Sequence, residues 1–227
     1  MDGTRPQILH FVLRHSSATV EDIATALHLA PATVRRHLDI LQRDNLVAYR
    51  EVRRKTGRPE HVFYLTENGL DRLPKSYDNL LSMLLDEIKA LNVQDIEGRD
   101  GRSVLQTALQ RIGQRLVERH ESKMTDKSFQ EQLVGVVDIL RGEDFYPELD
   151  WAGPGRVRIR LLNCPFRCVA QGNNAVCCID KALITNLLNT EVDRENCLAD
   201  GSPSCSYVIA VKPSIAPRPA DSTPAMV

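Results

Sequence analysis

A chain of 227 residues, 42% hydrophobic and 26% charged with a formal net charge of −1, has room for two small domains and the make-up of an ordinary globular protein. It contains no apolar run near the ~18 residues that a bilayer span requires. Its first residues also lack the basic-then-apolar pattern of a secretory signal, so no membrane association and a cytoplasmic location are expected.

Residues 5–15 carry apolar positions at helical spacing. Thr19-Val20-Glu21-Asp22 then has the pattern of a capping box for a helix running to about Leu27. After the short turn His28-Leu29-Ala30, Pro31 suits the first turn of a third helix, where its missing N–H costs nothing. Val34, Leu38 and Leu41 fall at i, i+4 and i+7 of that helix, one buried stripe. The same geometry turns Ala32, Thr33, Arg35, Arg36 and Asp39 outward and leaves His37 near the boundary.

Leu46–Val52 and Val62–Leu65 read as paired strands joined by a basic loop, Arg53-Arg54-Lys55-Thr56-Gly57-Arg58-Pro59. Thr66 is placed to cap a short helix from Glu67 to Leu73. Between Arg35 and Arg58 eight basic residues stand against three acids, the excess that a phosphate-facing surface needs.

Helix, helix, turn, helix, strand, basic loop, strand is the order of a winged helix-turn-helix, whose third helix enters a major groove of double-stranded DNA. Thr33, Arg35, Arg36 and His37 are the candidate readers of bases and nearby phosphates, since an arginine can grip a guanine edge bidentately. Arg53, Arg54, Lys55 and Arg58 are the candidate backbone contacts, which give salt-dependent affinity more than sequence preference. Ala30-Pro31-Ala32-Thr33-Val34-Arg35-Arg36-His37-Leu38, and Thr56-Gly57-Arg58-Pro59 followed by Tyr64-x-Leu-Thr-x-x-Gly69, resemble the recognition helix and wing of bacterial ArsR/DeoR-type regulators. Ala30 departs from the serine cap common there, a loss of ~1 kcal/mol.

Pro74 marks a domain boundary, giving a DNA-binding domain over 1–73. From Tyr77 to Leu91 a leucine-rich helix presents a broad apolar face, suited to a homodimer interface or to an intramolecular core. Gly98 and Gly101 interrupt it, and helices follow at about Val104–His120 and Ser128–Leu140. Asp144–Gly155, with two prolines, reads as loop or turn. Arg156–Leu161 alternates as a half-exposed strand does, a helix lies near Val176–Leu188, and a strand spans Tyr207–Val211. The fold class expected is α+β: the winged helix, a helical dimerisation region, and a cysteine-containing sensor domain reaching residue 212. A mobile, proline-rich tail covers 213–227.

All six cysteines lie between Cys164 and Cys205. Thiols clustered in a reducing compartment more often bind metal or do redox chemistry than form disulfides. Their gaps are wider than the tight pairs of zinc knuckles, whereas iron–sulfur cages accept scattered spacing. On the Val176–Leu188 helix Cys177 falls at the edge of the apolar face, while Cys178 turns toward Lys181 and Thr185; Cys177 is therefore the better ligand. A thiol enzyme is not expected, because five of the six histidines precede Leu73 and only His120 remains to serve as a base.

Asn163-Cys164-Pro165-Phe166, Cys177 and the Gly-x-x-x-Cys run ending at Cys205 resemble the sensor domain of SufR-like regulators, winged-helix dimers that carry an iron–sulfur cluster and control cluster-assembly genes. The resemblance implies Cys164, Cys177 and Cys205 as ligands of a cluster, four-iron ahead of two-iron, which couples redox or iron status to operator binding as in a repressor. For the fourth ligand Cys197, on the same loop as Cys205, stands ahead of Cys168. The alternatives are a structural zinc ion or an organic effector pocket in place of the cluster.

Overall fold

The computed structural model describes residues 3–53, 59–122, 124 and 127–211, and the chain divides into two compact units, Met1–Lys75 and Ser76–Val227. The first unit is built from α1 (Thr4–His15), α2 (Val20–Leu27), α3 (Pro31–Arg43), β1 (Val47–Val52), β2 (Glu60–Leu65) and α4 (Glu67–Asp71). Its core gathers the stripes of the three first helices, Ile8, Val12, Ile23, Val34, Leu38 and Leu41, against Val47 and Phe63 of the strands.

The capping box at the head of α2 is complete. Asp22 N–H donates to the Thr19 hydroxyl at 3.1 Å, and the Asp22 carboxylate accepts from the Thr19 amide at 2.9 Å. Ala30 offers α3 no side-chain cap, and Pro31 occupies the first turn instead. β1 and β2 pair antiparallel, Val47 opposite Leu65 and Val52 opposite Glu60. Ala18 adds a bridge to Phe63 through two backbone bonds of 2.9 and 2.8 Å.

Gly69 explains the glycine of the wing motif. A methyl group there would run into the Leu46 carbonyl. That close approach is held by Thr66, whose amide donates to Leu46 O at 3.1 Å and whose hydroxyl donates to Asn45 O at 2.6 Å.

The second unit begins with α5 (Tyr77–Ala90), α6 (Val93–Ile96), α7 (Gly101–Glu121) and α8 (Phe129–Gly142). The strands β3 (Pro147–Gly153) and β4 (Arg156–Leu161) follow, then α9 (Arg167–Gly172), α10 (Cys178–Leu188), β5 (Val192–Asn196) and β6 (Cys205–Ala210). The strands form one antiparallel sheet in the order β3-β4-β6-β5. Val157, Ile159, Leu161, Tyr207 and Ile209 join Ile112, Leu116, Ile179 and Leu183 of α7 and α10 in a single core. On β4 the alternate residues Arg158 and Arg160 form ion pairs: Arg160 with Glu148 at 2.6 Å and Asp150 at 3.0 Å, Arg158 with Asp150 at 3.3 Å and Glu195 at 3.0 Å.

Several expectations are corrected. Asp144–Gly155 is not a loop: β3 occupies 147–153, with Pro147 at its first position, where an edge strand tolerates the missing N–H. Pairing with β4 and the Arg160–Glu148 ion pair supply what its own sequence lacks. The helix of the cysteine segment is broken, a 3₁₀ turn at Asn174–Cys177 leading into α10. α7 starts at Gly101 rather than Val104, because the Asp100 carboxylate accepts the Ser103 amide at 2.8 Å. α9 and β5 had no clear periodic signal. The face of α5 divides: Leu80 is buried with Met83 and Leu84 against the core, while Leu81, Leu85 and Ile88 stay exposed. Between them Glu87 is buried and pairs with Arg115 of α7 at 2.6 Å. Residues 213–227 lie outside the described residues.

Candidate functional site

Two sites emerge, one in each unit. On α3 the burial of Val34, Leu38 and Leu41 turns Thr33, Arg35 and Arg36 to solvent. Arg35 reaches back to Glu21 of α2, 3.1 Å away, in an ion pair whose side chains are both more than half exposed. Such a pair contributes ~1 kcal/mol at most and yields readily to a phosphate. Arg36 makes no ion pair among the described residues. His37 is only half-exposed and its Nδ1 is buried, which makes it a boundary residue rather than an outward reader. Arg53, at the end of β1, is exposed; Arg54, Lys55 and Arg58 lie outside the described residues. Glu21 carried no sequence signal, since its partner comes from another helix.

In the second unit one small, closed pocket is lined by Cys164, Cys177, Cys197 and Cys205, walled by Phe166, Val176 and Leu198. Four separate pieces of chain deliver these thiols: the turn before α9, the 3₁₀ turn before α10, the end of β5, and the start of β6. Cys197 is central, its Sγ 3.9 Å from that of Cys177 and 4.0 Å from that of Cys205. The Leu198 amide donates to the Cys205 sulfur at 3.3 Å. Cys168 is exposed, Cys178 is half-buried, and neither lines the pocket.

Burial, reinforced by the neighbouring Asp180 carboxylate, pushes the Cys177 and Cys205 thiols far up. Burial likewise raises Cys178, to about 11. Asp180 itself is driven to about 6 by burial, against the opposing hydrogen bond from the Tyr207 hydroxyl at 2.6 Å. Among the described residues no three His, Cys, Asp or Glu side chains already surround a single ion position. The donor set nonetheless suits a soft metal: four sulfurs, an N–H aimed at one of them, and a lining that is apolar apart from Arg167 and Asp180.

Two contacts went unread in the sequence and connect this pocket to the beginning of the unit. The Ser76 amide donates to Pro165 O at 3.0 Å, and the Cys168 amide donates to the Tyr77 hydroxyl at 3.3 Å. The loop that carries Cys164 is thus pinned to the first turn of α5, immediately after Lys75. Tyr207 and Asp180 were also missed, although Tyr207 lies two residues beyond Cys205 on the same strand face and Asp180 follows Cys177 by one helical turn.

Residues 2–49 match the family described as bacterial regulatory protein, arsR family. Among solved structures the chain is similar to a transcriptional regulator homologue protein from Pyrococcus horikoshii OT3, at 28% identity over 39% of this chain and 82% of that one, with a TM-score of 0.27. It is also similar to Bacillus subtilis PadR in complex with operator DNA, at 18% identity over 63% of this chain and 92% of that one, with a TM-score of 0.28. We found no match among curated proteins. The segment from α1 into β1, with its exposed Thr33, Arg35 and Arg36, is the part of the chain that matches the helix-turn-helix model of the arsR family.

Proposed function

We propose that this chain is a DNA-binding transcriptional regulator whose C-terminal cysteines hold an iron–sulfur cluster and couple its state to operator binding. The observation that carries the sensing part is the convergence of Cys164, Cys177, Cys197 and Cys205 on one pocket that leaves Cys168 and Cys178 outside. The DNA-binding part rests on the arsR-family segment and on the cationic, solvent-facing side of α3.

A bound cluster supplies positive charge that keeps the four sulfurs as thiolates and offers an electron- or oxidant-sensitive group. The chain's own part is mechanical. With the thiols engaged, the Cys164 loop is fixed, and with it the bonds from Ser76 to Pro165 and from Cys168 to Tyr77. Release of the thiols frees that loop and loosens the first turn of α5, which continues directly from the DNA-binding unit. A change of only ~1–3 kcal/mol in that coupling switches operator occupancy. The exposed Leu81, Leu85 and Ile88, spaced i, i+4 and i+7 on α5, suit burial against a second copy, as a reader of paired half-sites requires.

A second reading has its own observation. A tetrahedral zinc site with Zn–S of about 2.3 Å sets its sulfurs about 3.8 Å apart. The Cys177–Cys197 and Cys197–Cys205 separations of 3.9 and 4.0 Å are close to that. Anaerobic purification with iron, sulfide and zinc analysis separates the two. Near-equal iron and sulfide, lost in Cys197→Ser and kept in Cys168→Ser, is the expected result. Stoichiometric zinc and no iron after attempted reconstitution would replace the cluster with a structural ion and leave the DNA-binding claim standing.

A further inference from the structure

We propose that the second unit contains a binding site for a small aliphatic polycarboxylate or phosphate-bearing anion, in a cleft that shares a wall with the cysteine pocket. The cleft offers about 1160 Å³, ample for a metabolite-sized ligand. Arg102 of α7, Lys181 of α10 and Arg194 of β5 all line it. Four other arginines of the unit are already engaged. Arg111, Arg115, Arg158 and Arg160 each close on a carboxylate within 3.3 Å, whereas Arg102, Lys181 and Arg194 form no ion pair among the described residues. Against the three cations the cleft carries one carboxylate, Asp200; Asp100 stands near Arg102 but is engaged in capping α7.

Arg194 also hydrogen-bonds Tyr207 and feels the Asp180 carboxylate, but among the described residues Arg102 and Lys181 are without a hydrogen-bond partner of this kind. Three cations brought by two helices and a strand to one concavity are what charge-assisted binding of an oxyanion needs. The side-chain amides of Gln106, Gln171, Asn173 and Asn174 add neutral donors and acceptors along the same walls. No aromatic residue lines the cleft, so it offers no stacking surface for a nucleobase or other flat ring; the ligand class is compact and aliphatic. Ala170, Cys177 and Ala199 line both the cleft and the cysteine pocket. A ligand seated there presses on the outer side of Cys177, and its affinity and the state of that thiol are therefore linked reciprocally.

The site is tested by calorimetric titration of the full-length protein with propane-1,2,3-tricarboxylate, a poor metal chelator, and separately with inorganic phosphate, at physiological salt. Saturable binding of either probe is expected, with at least about tenfold loss in Lys181→Ala and in Arg102→Ala, each of which removes one charged donor from an exposed position. Tighter binding of the tricarboxylate identifies a carboxylate ligand, and tighter binding of phosphate a phosphorylated one. Absence of saturable binding by both probes, or binding that both substitutions leave unchanged, overturns the proposal. Neither result bears on the metal content of the cysteine pocket, which is read separately.

Discussion

Replacing Gly69 with alanine tests the account of the wing motif. The added methyl has nowhere to go, because the Leu46 carbonyl already sits against the Cα. α4 has to lift away from the β1 end, stretching the Thr66 bonds to Leu46 O and Asn45 O, 3.1 and 2.6 Å. Overpacking costs about 1–3 kcal/mol, and weakening two hydrogen bonds adds ~1 kcal/mol each. Alanine returns at most ~1 kcal/mol through its better helix propensity. The balance is a net loss of roughly 2–4 kcal/mol, which in a unit of this size lowers the melting midpoint by about 10–30 °C. Thermal denaturation followed by circular dichroism measures it, with peptide-level hydrogen exchange over β1 and β2 attributing the change to the first unit. Gly142→Ala is the control: it ends α8 with no atom within 4 Å of a new methyl, and stability there should hold or rise slightly. A Gly69→Ala protein that melts with its parent would refute the steric argument.

Other outcomes follow from particular contacts. Arg36→Ala should weaken binding to every duplex tested and lower the slope of log affinity against log salt by about one if Arg36 meets a phosphate, or relax preference at one base pair if it reads a base; unchanged affinity would remove it from the interface. Glu21→Ala frees Arg35 and removes a nearby negative charge, and should raise DNA affinity about two- to fivefold in a titration by fluorescence anisotropy, in line with an exposed ion pair. Tyr77→Phe deletes the acceptor of the Cys168 amide. Metal content should stay at the parent level while the ratio of DNA affinities with and without metal shrinks by about fivefold, the worth of one hydrogen bond; an unchanged ratio would discard this tether as the link. Tyr207→Phe leaves the fully buried Asp180 without its 2.6 Å donor and should cost about 1–3 kcal/mol in chemical denaturation.

The first unit was legible because its determinants are local. The capping box at Thr19, Pro31 in the first turn of α3, the Val34-Leu38-Leu41 stripe and the capping Thr66 each act within a few residues of sequence. A helix with one apolar stripe also has its solvent face settled by subtraction, which is how Thr33, Arg35 and Arg36 were found. His37 shows the limit: a residue at the edge of a stripe is turned in or out by its neighbours in space.

In the second unit the sequence by itself determined less. It restricted the thiols to residues 164–205, separated Cys177 from Cys178 by helical phase, and placed the alternating strand at 156–161. The tertiary structure decided the rest. β3 has a proline and two acids that oppose a strand until Arg158 and Arg160 stand beside it. Cys197 and Cys205 meet Cys177 only when β5 and β6 pair and α10 packs on the sheet. The division of α5 between a buried Leu80–Glu87 side and an exposed Leu81–Ile88 side depends on where α7 lies. Periodicity reports which side of an element is apolar, a property of the element alone; which distant side chains come within 4 Å of one another depends on how the elements pack, because that packing removes apolar surface from water across the whole unit at once.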